Sequence, residues 1–197
     1  MAQRVAELRC PGCGAAVSID MKKCEYCGNP VVITTFNSVY TMAADKINEY
    51  ATAYGKVLAA EPENAGLNAA AGMCYLKLGL YEKAYAAFCR AMEADLDNSE
   101  VYYYAAVCLL HGKKPFLHPR ETINRVMEYI NAANRIEPRG IYGYFLAYIK
   151  YDYFERKYLN IVPDYRAELE KARQEGVSDF DITTLFSLLG LPRAANL

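Results

Sequence analysis

Cys10, Cys13, Cys24 and Cys27 form two C-x2-C pairs with ten residues between the pairs. A gap of two residues lets both sulfurs of a tight turn point at one ion, and four thiolates in tetrahedral array suit Zn²⁺. Gly14 and Gly28 each follow the second cysteine of a pair, where a positive φ would close the turn. In such a turn backbone N–H groups can bond to the sulfurs and tune their charge. The expectation is one Zn²⁺, structural because protein fills all four positions. An iron site with the same four ligands is the alternative. A redox dithiol is disfavoured, since two such pairs with matched glycines would be redundant.

The remaining candidates for chemistry are few. The sequence has no G-x-S-x-G elbow, no G-x-x-x-x-G-K-[ST] loop and no H-E-x-x-H. His111 and His118 are its two histidines and have no sequence-adjacent thiol or carboxylate, so they read as residues of a surface turn. Cys74, Cys89 and Cys108 fall within helical patterns and read as core. A total of seven cysteines is odd and argues against a disulfide framework. An enzyme is therefore not expected.

The elements around the cysteines follow from local pattern. Val17 and Ile19 alternate before the second pair and Val31 to Ile33 form an apolar run after it, so both read as short strands. Residues 1–36 resemble a short zinc ribbon, a fold too small for a core of its own, to which the metal supplies folding energy. Such ribbons dock nucleic acid or protein, or simply steady a neighbour. Here Arg4, Arg9, Lys22 and Lys23 face Glu7, Asp20 and Glu25, a net +1 that is weak for binding phosphates.

Beyond a linker at Thr34–Ser38, the apolar spacing becomes helical. The segment 65–98 reads as a helix–turn–helix: Leu67, Ala71, Cys74, Tyr75 and Leu78 share one face, Tyr81, Ala84, Phe88, Ala91 and Met92 another, and Gly79 lies between. It resembles a tetratricopeptide repeat (TPR). Gly72 and Tyr75 stand at the family's small and aromatic positions of the first helix, and Ala84, Phe88 and Ala91 at the small–aromatic–small positions of the second. Asn68, Ala71 and Leu96 depart from the usual Trp, Leu and Pro. A capping helix is expected over 40–60, further repeats over 99–138 and 140–175, and a closing helix over 178–190 that carries Phe180, Ile182, Leu185, Phe186 and Leu189. The repeat over 99–138 holds an insertion, His111 to Arg120, made basic by Lys113, Lys114 and Arg120.

The fold class expected is mainly α: an antiparallel helix-pair repeat, a TPR-like α-solenoid over 37–197, with a small N-terminal β zinc ribbon over 1–36. The resemblance implies a concave groove formed by the first helices of the repeats, which takes an extended peptide or a partner helix. By position it would show Ala69, Met73 and Lys77, then Glu100, Tyr103 and Val107, then Tyr142, Phe145 and Ile149. The alternative for the aromatic residues among these is packing between helices.

Composition bounds the remaining choices. Hydrophobic residues make up 53% of the chain, which excludes disorder as its main state. The net charge of −1 offers no global field for nucleic acid. No apolar run approaches the ~20 residues that cross a bilayer, and residues 1–7 lack the apolar core of a secretion signal. The expectation is a cytoplasmic protein–protein interaction scaffold with a protein or peptide partner and open to self-association. The rival is a nucleic-acid-associated regulator that uses its ribbon.

Overall fold

The computed structural model describes residues 8–19, 21–194 and 197. The N-terminal stretch read above for a secretion signal lies outside them, as does Asp20. The chain divides into two compact units, Met1–Leu96 and Asp97–Leu197.

In the first unit, β1 (Leu8–Arg9) and β2 (Ala16–Val17) pair antiparallel, with Leu8 opposite Val17 and Arg9 opposite Ala16. Leu8 and Val17 bury together, so the hairpin has one apolar face. The second cysteine turn is closed by a single bridge between Lys23 and Pro30. Val31 to Ile33 do not form the expected strand: Val31 N still bonds Lys22 O at 3.3 Å, but the next backbone groups find a side chain instead of a partner strand. Ile33 N donates to Tyr54 Oη at 3.0 Å, and Tyr54 Oη donates to Val31 O at 3.1 Å. The expected linker is also structured: Phe36 and Val39 of α1 (Phe36–Tyr40) are buried.

The helix expected over 40–60 is shorter, since Ala43 is extended (ψ 152°) and α2 begins after it (Ala44–Leu58). The break lets α1 turn Phe36 and Val39 inward while α2 buries Ile47, Tyr50, Tyr54 and Val57. Next come α3 (Ala65–Lys77) and α4 (Tyr81–Ala94), the antiparallel pair that the apolar spacing predicts. Asn64 caps α3 by accepting from Leu67 N at 3.0 Å. At the other end Gly79 N bonds Leu76 O and Leu80 N bonds Tyr75 O, a Schellman closure that spends orphan carbonyls of the last turn. The pair is close because position 72 has no side chain: a Cβ there would stand 2.6 Å from Phe88 Cε1.

The second unit repeats this logic. α5 (Ser99–Leu109) pairs with α6 (Arg120–Ile136), and α7 (Gly140–Ile149) with α8 (Tyr165–Gln174). The insertion between α5 and α6 is ordered around a 3-10 turn, Pro115–Leu117. Phe116 N donates to Asp152 Oδ2 at 2.8 Å, and the Arg156 and Lys157 cations each lie 4.8 Å from the centre of the Phe116 ring. α7 runs on through a π-helical turn, Lys150–Phe154. From it Lys150 Nζ reaches Glu168 Oε1 of α8 at 2.6 Å and Pro163 O at 2.8 Å, as a buried pair.

The last helix, α9 (Asp179–Leu189), is delimited at both ends. Ser178 and Asp181 form a reciprocal capping box, and Gly190 adopts the left-handed C-cap. The sequence suggests that this helix closes the end of a stack; the structure lays it against α5 and α7, with the Phe186 and Tyr148 rings 5.0 Å apart.

Candidate metal centre and helical face

The two cysteine turns are built alike. Cys10 N bonds Ala15 O while Gly14 N bonds Cys10 O; Cys24 N bonds Asn29 O while Gly28 N bonds Cys24 O. Gly14 and Gly28 sit at φ 76° and 72°, where a Cβ would be strained. This backbone places Cys10 and Cys24 inside and Cys13 and Cys27 at the surface. The four Sγ atoms all lie within 4.8 Å of one another, with Cys10 and Cys27 at 3.5 Å and Cys13 and Cys24 at 3.7 Å. Sulfurs arranged tetrahedrally about one ion at the usual ~2.3 Å bond length stand about 3.8 Å apart. The geometry fits a four-coordinate metal, and these residues could hold one ion.

Local electrostatics divide the thiols. Gly12 N donates to Cys10 Sγ at 3.3 Å. Burial pushes the Cys10 thiol up against the pull of the Gly12 and Cys13 amides. At Cys24 burial also works upward, but the amides of Cys27 and Tyr26, with the Cys10 and Cys13 thiols, outweigh it and bring the group down to about 7. Cys24 is thus ready to ionise near neutrality.

The centre is fastened to α2. Lys46 Nζ donates to Pro11 O at 2.8 Å, next to the first turn, and Tyr50 Oη donates to Pro30 O at 2.8 Å, beyond the second. With Tyr54 on Val31 and Ile33, three side chains of one helix hold the backbone on both sides of the sulfurs. The capping helix expected over 40–60 includes Tyr50 and Tyr54, but its pattern does not announce this role. Their i, i+4 spacing marks a shared face, yet nothing local tells which segment that face meets.

The other candidates go elsewhere. His118 Nε2 lies 3.0 Å from Leu110 O, and burial lowers the basicity of its ring. Among the described residues, the four cysteines are the one group of three or more potential ligands drawn together. Cys74 and Cys108 are buried in the helices, and burial pushes the Cys74 thiol up to about 12, which makes it inert.

Of the residues assigned to a groove, Ala69, Met73, Tyr103, Val107, Tyr142, Phe145 and Ile149 are interior, while Lys77 and Glu100 are partly exposed. In the first unit α1 lies on α3, and Lys77 Nζ stands 4.6 Å from the centre of the Tyr40 ring. In the second, the Tyr103 ring packs 5.1 Å from Tyr142 and 5.8 Å from Phe145, which joins α5 to α7, and α9 lies over these two helices. Glu100 accepts from Arg139 at 2.7 Å. Both first-helix faces are thus covered by short helices of the same unit.

No family model and no curated protein matches this sequence. Among solved structures 17 chains match. One, "MamA MSR-1 C2", shares 16% identity and a TM-score of 0.48 over 72% of this chain and 85% of that one. The chain is a mainly α protein of antiparallel helix pairs, with a small four-cysteine β knob in its first unit.

Proposed function

We propose that this protein is a non-enzymatic, cytoplasmic interaction scaffold in which the four cysteines hold one structural Zn²⁺ and the helical repeats, residues 37–197, bind a protein or peptide. The observation that carries the reading is α9: the face formed by α5 and α7 receives an amphipathic helix. A surface shaped for one helix is suited to binding by helix-in-groove recognition. The zinc is read as structural because four protein sulfurs leave no coordination position for a substrate. The clamp from α2 supports a steadying role for the knob, in place of a freely swinging docking module.

Two measurements test this. Metal analysis of the purified chain is expected to find one zinc per molecule, and the absence of stoichiometric metal would remove the first half. Affinity capture with and without nuclease is expected to yield a defined protein that survives the treatment. Partners that vanish with nuclease would transfer the function to the ribbon and to nucleic acid.

A further inference from the structure

α9 behaves as a self-contained piece. Several of its polar groups bond within its own segment: Ser178 with Asp181 at the start, Thr183 Oγ1 to Asp179 O at 2.9 Å, and Arg193 with Asp179 from beyond its end. Ile182, Leu185, Phe186 and Leu189 recur at i, i+3, i+4 and i+7 and are buried, while Phe180 on the outer side is 55% exposed. The stripe that attaches the helix is therefore apolar, and apolar contacts are non-directional. The segment leaves α8 through a glycine closure, Gly176 N on Arg173 O and Val177 N on Ala172 O, a short joint between two finished helices.

The floor under α9 also has contacts of its own. Tyr103, Tyr142 and Phe145 hold α5 and α7 together through their own ring contacts. Nor is the fit complete, since Thr184 Oγ1 of α9 is buried with no hydrogen-bond partner among the described residues. An occupant that strands no such hydroxyl would hold better than the resident one. A further helix continuing the array would stack on the preceding pair, whereas α9 reaches back to α5.

We infer that α9 is an exchangeable plug: the partner's docking element is an amphipathic helix with bulky apolar residues at i, i+3, i+4 and i+7, which takes the α5–α7 face by displacing α9. This deepens the scaffold reading and rests on it. Competition between two helices for one face makes the affinity measured for the incoming helix depend on how often the resident one is off.

The test uses the full chain and a fluorescent synthetic peptide of residues 177–191 as the incoming helix. Wild-type protein is expected to bind it weakly. The double substitution Ser178→Ala and Asp181→Ala removes the capping box without touching the face, and should tighten binding by roughly five- to tenfold by raising the open fraction. Phe186→Asp in the protein should tighten it further, and a peptide carrying Leu185→Asp and Phe186→Asp should not bind. Equal or absent binding by wild-type and cap-variant proteins of normal helicity would overturn the exchange, whether or not the Phe186→Asp chain folds. Dimerisation of wild-type protein that Phe186→Asp abolishes would assign the face to a second copy and also overturn it. Capture of the same lysate partner by wild-type and cap variant in equal amount would sink the plug while leaving the scaffold reading intact.

Discussion

At the residue scale the centre tolerates little. Cys24 is buried and its thiol is brought down to about 7 by neighbouring amides and thiols. Cys24→Ser offers a hydroxyl that stays protonated in place of a soft thiolate, so zinc content should fall well below one per chain after brief dialysis against a chelator. Full retention by the variant would exclude this site. Tyr54→Phe tests the clamp, because it leaves Ile33 N and Val31 O without their partner in a buried place. It should cost about 1–3 kcal/mol in urea unfolding. Tyr26→Phe, at a ring 77% exposed, is the matched control and should cost nothing measurable. The cysteines were legible because their geometry is set within four residues of chain. Tyr54 was not, since its bonding partners stand 21 and 23 residues away and only the folded chain brings them under α2.

Between elements, small positions and buried charges decide the packing. Gly72 and Phe88 were readable as a small and an aromatic position of the two helices, and the close approach of α3 to α4 follows from their meeting. Lys150 and Glu168 were not readable: each sits in a helical run like any exposed charge, and only the packing of α8 on α7 brings the two together. Breaking this pair with Glu168→Leu strands an ammonium in the interior and should cost about 3–5 kcal/mol. The double change Lys150→Met with Glu168→Leu removes both charges and should recover most of that loss in thermal melts; if the double variant is as unstable as the single one, the pair is not what fails. The same distinction applies to Tyr103 and Phe145. Helical spacing put them on a face, but a sequence pattern cannot say whether that face meets solvent or another helix. With both interior, truncating either to Ala creates a cavity and should cost about 3–5 kcal/mol. Such variants would therefore report on folding, and α9 is the place to probe docking.

Across the whole molecule, the most general property is how many tyrosine hydroxyls the two cores enclose. Burial raises Tyr50 and Tyr54 in the first unit, and Tyr103, Tyr104, Tyr142, Tyr144 and Tyr148 in the second. Tyr50 is pushed up to about 12, against about 10 for a free tyrosine. The sign of the consequence follows from linkage. Below about pH 10 these groups are protonated in both folded and unfolded chains, and their contribution is fully present. Above it the unfolded chain ionises first, so stability declines as pH climbs through the raised folded values, with Tyr50 among the earliest to go. Alkaline titration followed at 295 nm should therefore resolve two sets of tyrosines, the first ionising without loss of helicity. A second, steeper set should ionise together with the collapse of the circular-dichroism signal at 222 nm. Smooth titration of every tyrosine near pH 10 with the helices intact would mean that these rings are not enclosed, and would remove the aromatic floor on which the exchange of α9 depends.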